Sequence, residues 1–149
     1  MKSPESSSKA QSRPSWDKYF LEIAKVVASR STCPRASVGA VIVKDNRIIA
    51  TGYNGSLPSE PHCTDVGCLV INGHCERAVH AETNAVAQAA KMGLAIDGAT
   101  MYYYDSLNRP SGSCLKCSQV MAAAGIKRLV YLGGELDINW LKRLPSESK

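Results

Sequence analysis

The stretch His74-Cys75-Glu76-Arg77-Ala78-Val79-His80-Ala81-Glu82 gathers two histidines, a cysteine and two glutamates within nine residues. Side chains of these types ligate metals or move protons. Taken alone, the stretch is compatible with one metal, with two metals, or with the acid and base of a hydrolytic site. Further donors are spread along the chain as six cysteines, at positions 33, 63, 68, 75, 114 and 117, and only Cys114 and Cys117 make a CxxC pair. The first residues, MKSPESSSKAQSRPS, are polar and Ser-rich without an apolar core. The expected location is therefore cytoplasmic, and six thiols there point to metal binding or thiol chemistry rather than a disulfide framework.

His80-Ala81-Glu82 and Ser113-Cys114-Leu115-Lys116-Cys117 each fall where a helix is expected to begin. Residues at i and i+3 share a helix face, so Cys114 and Cys117 can face one ion, and the free N–H groups of a first turn favour both as thiolates. His80 completes a three-ligand set. Two thiolates and an imidazole leave the fourth tetrahedral position of Zn²⁺ to water, the arrangement of a catalytic zinc. Zinc lowers the pKa of such a water from about 16 to about 7. In mid-helix Glu82 would point away from His80. In a first turn it can lean over the water without ligating the metal, take its proton, and pass it to a ring nitrogen and then to a leaving amine. The competing interpretation is a surface histidine, a solvated glutamate and a redox CxxC, although a redox pair needs no distant HAE.

These residues need a scaffold. Ser15 reads as the N-cap of a helix running to about Arg30, with apolar residues at helical spacing. Val38–Val43 and Arg47–Tyr53 are rich in β-branched residues and flank Lys44-Asp45-Asn46, which predicts a hairpin. Positions 54 to 73 carry turn residues and two cysteines in a stretch longer than loops usually are unless pinned. A helix is expected from near His80 to Met92, stopped by Gly93, followed by a strand over Thr100–Tyr104. Then come a helix over Leu115–Ala124 closed by Gly125, a strand over Arg128–Leu132, and a short helix around Ile138–Leu144. This order predicts a mixed sheet between helices, a three-layer α/β/α domain over residues 15–145 behind a disordered basic tail at 1–14.

At 149 residues the chain has room for one ordinary domain. No run of 18 apolar residues suggests a membrane span. The net charge of +5 draws on lysines and arginines near both ends. That balance reads as solvated surface charge and suits a phosphorylated small molecule; no interleaved aromatic and Arg pattern favours nucleic acid.

The HxE and CxxC half-motifs match the zinc deaminase pattern. With Ser31-Thr32-Cys33, Val38–Val43, Gly52-Tyr53-Asn54-Gly55, the cysteine-bearing insert and Ala124-Gly125-Ile126-Lys127, the chain resembles the deoxycytidylate (dCMP) deaminases of the cytidine deaminase superfamily over about residues 15–133. The resemblance implies the cytidine deaminase-like fold and hydrolysis of dCMP to dUMP and ammonia, supplying dUMP for dTTP synthesis. It also implies a homo-oligomer, often a hexamer, activated by dCTP with Mg²⁺ and inhibited by dTTP. By the same resemblance Asn54 lies near the nucleotide, the Ala81 N–H meets the pyrimidine carbonyl, and Lys91 is a candidate for the phosphate; by residue type alone Asn54 is equally a turn residue beside Gly55. Similar phage and bacterial proteins carry a second, structural zinc, which Cys33, Cys63, Cys68 and Cys75 fit, with His74 as the alternative to Cys68; four unrelated buried thiols are the competing reading. Two departures stand out. The segment Asp105–Ser113 is longer than in the family and has Ser113 where Pro is usual. Such a loop is compatible with 5-substituted dCMP, a nucleoside or another cytosine or adenine substrate such as tRNA, or with a catalytically silent relative. The segment SLPSEPH lacks the family's glycine pair, which bears on dCTP control.

Overall fold

A computed structural model describes residues 12–109, 114–137 and 139. Most of the expected tail at 1–14, Ser113, and all but Asn139 of the expected helix at 138–144 lie outside the described residues.

Helix α1 spans Trp16–Ala28 and is capped as expected, the Lys18 N–H donating to the Ser15 hydroxyl. Its buried stripe is Phe20, Ala24 and Ala28. Strands β1 (Val38–Lys44) and β2 (Arg47–Tyr53) pair antiparallel across Asp45 and Asn46, whose φ of 52° and 59° are the left-handed values of the tight turn that suits strand twist. The stretch read as irregular holds small elements of its own, α2 (Cys63–Val66) and β3 (Val70–Ile71), and β3 pairs with β4 (His74–Cys75) just beyond it. Helix α3 (Ala81–Lys91), strand β5 (Thr100–Asp105), helix α4 (Leu115–Ala123) and strand β6 (Arg128–Tyr131) follow. Strand β7 (Gly134–Asp137) was not expected. It is a four-residue sheet-edge strand with Leu136 as its single large apolar residue, so it leaves no readable alternation.

The sheet runs β2-β1-β5-β6-β7, with β5 and β6 parallel and the other pairs antiparallel. A parallel pair needs a crossover, and α4 supplies it. Alternation along the strands sorts the core into two faces. Ala40, Ile42, Met101, Tyr103 and Leu129 pack with Ala81, Ala85 and Met121 of α3 and α4. Val41, Val43, Tyr102 and Val130 pack with Phe20 and Ala24 of α1. The expected three-layer α/β/α sandwich with a mixed sheet is thus borne out. Phe20 also sits against the rings of Trp16, Tyr19 and Tyr102, and its burial alone stabilises by about 2–3 kcal/mol.

Two strand glycines set how closely the helices approach. A Cβ on Gly39 would run into the Ala24 carbonyl and Ala28 amide of α1, and one on Gly52 into the backbone of Ala81 and Ala85 of α3. Along the edge of the sheet the Arg128 guanidinium grips Asp17 of α1 at 2.7 Å and Glu135 of β7 at 2.6 Å, while the Tyr102 hydroxyl donates to Asp17. No helix among the described residues is long and apolar enough to cross a membrane.

Candidate functional site

The end of β2, the start of β1 and the end of β5 lie side by side, since Val38 pairs with Asp105 and its N–H reaches the Asn54 side chain. The N-termini of α3 and α4 converge on this rim. Open α/β sheets present their ligand sites beyond strand carboxyl ends in the same way. The chain entering α3 is tied to the end of β2 by a two-bond bridge, Gly55 N–H to Val79 carbonyl at 3.2 Å and Val79 N–H to Gly55 carbonyl at 2.8 Å. The Asn84 amide adds a second tie, donating to the Tyr53 carbonyl at 2.8 Å. His80, the N-cap residue of α3, makes no capping bond with its side chain, which leaves the imidazole free to face α4.

There it meets the CxxC. His80 Nδ1 lies 3.1 Å from Cys117 Sγ, and Cys114, the N-cap of α4, accepts the Cys117 N–H at 3.3 Å. Donor atoms of His80, Cys114 and Cys117 all lie within 4.8 Å of one another. The Thr83 hydroxyl leans on Cys117 Sγ at 3.7 Å. Glu82, in the first turn of α3, is only 4% exposed and is not among these donors. Two sulfurs and an imidazole nitrogen, preset by two helix starts, fit Zn²⁺ with one position open.

Charge is unevenly shared. The neighbouring Cys117 thiol, then His80, hold Cys114 down at about 4. Cys114 and burial push Cys117 upward, and contact with Cys114 raises His80. A divalent cation would take both sulfurs as thiolates. Burial pushes Glu82 up to about 7; its own backbone N–H and His80 oppose the shift, and Cys114 and Asp105 reinforce it. A carboxyl poised near neutrality can both accept and return a proton.

The remaining cysteines form a second group. Cys63, Cys68 and Cys75 place their sulfurs within 4.8 Å of one another, with Cys63 and Cys75 at 3.6 Å. Burial alone would raise Cys75, but the N–H groups of Ala78 and Arg77, the Cys63 thiol and the Leu69 N–H outweigh it and bring it down to about 7. Burial, with Cys75 and Cys68 beside it, pushes Cys63 up to about 12. Cys68, rather than the exposed His74, joins this group. Cys33 is not within it, although its charge reaches Cys68 and its neighbour Thr32 accepts the Thr64 N–H at 3.1 Å. His62, beside Cys63, holds a buried Nδ1 without a hydrogen-bond partner.

Asn54 is buried at the rim, its Oδ1 accepting from Val38 N–H and its Nδ2 donating to the Ala36 carbonyl, both at 2.9 Å. Among the described residues its second amide N–H and second oxygen lone pair have no partner. Ala81 is fully buried as the first residue of α3. Lys91 is not brought to the site by this chain: it lies exposed in the last turn of α3, ~15 Å along the axis from Ala81. Asn84, Thr83 and Asp105 were not singled out from the sequence, because Asn, Thr and Asp beside turns and helix starts carry no mark distinguishing a site from a cap.

The family model described as "Cytidine and deoxycytidylate deaminase zinc-binding region" matches residues 14–133. The chain is 48% identical over 119 residues to ComE operon protein 2 of Bacillus subtilis, covering 80% of this chain and 60% of that one, so it spans less than two thirds of that relative. It is 41% identical over 131 residues to the deoxycytidylate deaminase of Mycobacterium phage D29, covering 80% of this chain and 96% of the relative. Among solved structures, the dCMP deaminase of cyanophage S-TIM5, crystallised with dCMP and dUMP, matches with a TM-score of 0.66 at 30% identity, over 80% of this chain and 82% of that one.

Proposed function

The chain belongs to the cytidine and deoxycytidylate deaminase family, and from that premise we propose that it hydrolyses dCMP to dUMP and ammonia. The observation that carries this reading is the set of His80, Cys114 and Cys117 donors within 4.8 Å of one another, with the buried Glu82 two residues from His80. Those three side chains would hold Zn²⁺, which supplies the acidity that makes water a nucleophile at neutral pH. Glu82 takes the proton of the attacking water, gives it to the ring nitrogen beside the amino-bearing carbon, and transfers a second to the departing amine, so that one water enters and one ammonia leaves. The Ala81 N–H, at the start of α3, offers a donor to the pyrimidine carbonyl. Asn54, buried at the rim, is the expected contact for the sugar.

The second zinc belongs to the same proposal. Cys63, Cys68 and Cys75 form a three-sulfur group, and a Cys75 sulfur cradled by backbone N–H groups suits a thiolate ligand. Cys33 is the expected fourth ligand, its neighbour Thr32 already bonded to Thr64 beside Cys63. The homo-oligomer and the control by dCTP with Mg²⁺ and by dTTP are read out by sedimentation and by assays with each nucleotide.

The test is ammonia release from dCMP, deoxycytidine and a tRNA anticodon arm. Glu82→Ala is expected to lose about 10²–10⁴-fold in dCMP turnover while keeping its zinc. An equally active variant would sink the role of Glu82, and a native protein that prefers deoxycytidine or tRNA would overturn the substrate.

A further inference from the structure

The loop leaving β5 is built around a buried carboxylate. Asp105 is the last residue of β5, and its side chain is 1% exposed. Its Oδ1 accepts the Leu107 N–H at 2.9 Å, and its Oδ2 accepts the Tyr103 hydroxyl at 3.3 Å and Arg109 Nε at 2.6 Å. The Ser106 side chain accepts the Ser37 N–H at 2.9 Å, which fixes the other side of the turn to the entry of β1. The loop is therefore clamped on two sides, and a buried acid with three donors is the clamp.

Its outermost member is Arg109, whose side chain is 54% exposed. The guanidinium bonds Asp105 through Nε, and among the described residues its two terminal nitrogens have no partner. It stands at the rim: Asp105, which holds it at 2.6 Å, pairs with Val38, whose N–H reaches the Asn54 side chain. A fixed fork with two free N–H edges at the mouth of a site matches a phosphate monoester, which it can take in two parallel bonds. Lys91, the phosphate candidate read from the sequence, lies at the opposite end of α3.

We infer that Arg109, braced by Asp105, reads the 5′ phosphate of the substrate and sets the preference for a nucleotide over a nucleoside; this rests on the deaminase reading above. Asp105 is the positioning residue, and Arg109 touches the substrate.

The test compares dCMP with deoxycytidine, by kcat/KM and by calorimetric Kd, for the native protein, Arg109→Gln, Arg109→Lys and Asp105→Asn. Arg109→Gln is expected to weaken dCMP by about 10–100-fold, the range of a charge-assisted bond to a phosphate, and to change deoxycytidine by less than threefold. Arg109→Lys should recover part of the loss, because it keeps the charge and loses the fork. Asp105→Asn should raise KM for dCMP more than it lowers kcat. An equal fall on both substrates would show that Arg109 only shapes the loop, and an unchanged dCMP constant would show that the phosphate lies elsewhere; either overturns the inference. If the native protein binds dCMP in an Arg109-dependent way and deaminates no cytosine compound, the inference stands and the deaminase reading falls.

Discussion

The two sulfur clusters sit only a few residues apart in sequence, Cys75 in one and His80 in the other, yet they stand on opposite kinds of support. His80, Cys114 and Cys117 are delivered by two helix starts whose helices pack on the sheet through Ala81, Ala85 and Met121. Their geometry is fixed by the core, and a metal adds chemistry. Cys63 opens a four-residue helix, Cys75 ends a two-residue strand and Cys68 lies in the link between that helix and the paired strand, with Val66, Val70 and Ile71 exposed around them. Elements that short do not hold together unaided. In that half the metal would supply the fold, because its binding energy is folding energy.

The largest expected effect follows directly. Cys114→Ser should abolish turnover, by three orders of magnitude or more, with little loss of helix content, whereas Cys75→Ser should lower the zinc stoichiometry by one and loosen the 56–78 segment to proteolysis, with dCMP turnover falling less than tenfold. Metal analysis, limited proteolysis and ammonia release on both variants check this, and an equal loss of activity would erase the contrast.

Next is the cost carried by the rigid half. Because burial lifts the Glu82 pKa from 4.5 to about 7, its ionised form opposes folding in the metal-free protein. The penalty is absent below pH 4.5, grows as pH rises, and is complete above about pH 7, reaching at most about 3 kcal/mol. Chelated Glu82→Gln should therefore be more stable than chelated native protein at pH 8 and equal to it at pH 4, by urea denaturation. Equal stability at both pH values would mean that the site is wetter than its packing shows.

The smallest effect serves as a control on the far face of the sheet. Bonding to Arg128 lowers the Asp17 pKa below 3.8, so its contribution is present above that value and lost as pH falls through the lower folded one. Both partners are partly exposed, which limits Asp17→Asn to under about 1 kcal/mol. Neither cluster should change its zinc content.

The contrast also explains what could be read in advance. The three layers, the hairpin and the HAE and CxxC helix starts were legible because periodicity, caps and glycine stops mark them locally. The loop cluster was legible as a set of cysteines but not as a geometry: Cys33, far upstream in the chain, lies outside the three-sulfur group, and Cys68 joins that group while His74 stays exposed. Lys91, a phosphate candidate by resemblance, stands in the last turn of α3, because along a helix a separation of ten residues becomes ~15 Å. The Asp105–Arg109 clamp was hidden because a buried Asp at a strand end has the same letters as any turn. Asn84 was hidden too, since nothing in a helix sequence says which side chain reaches back to a strand.

The bridge between Gly55 and Val79 has one more consequence. It closes the intervening segment at its base, so His80 takes its place from two neighbours that hold each other rather than from the path between them. That path is expected to behave as a cassette, in which adding or removing residues between Gly55 and Val79 leaves the start of the next helix in place. The catalytic frame is thereby insulated from the most variable kind of change a chain can undergo, a change of length.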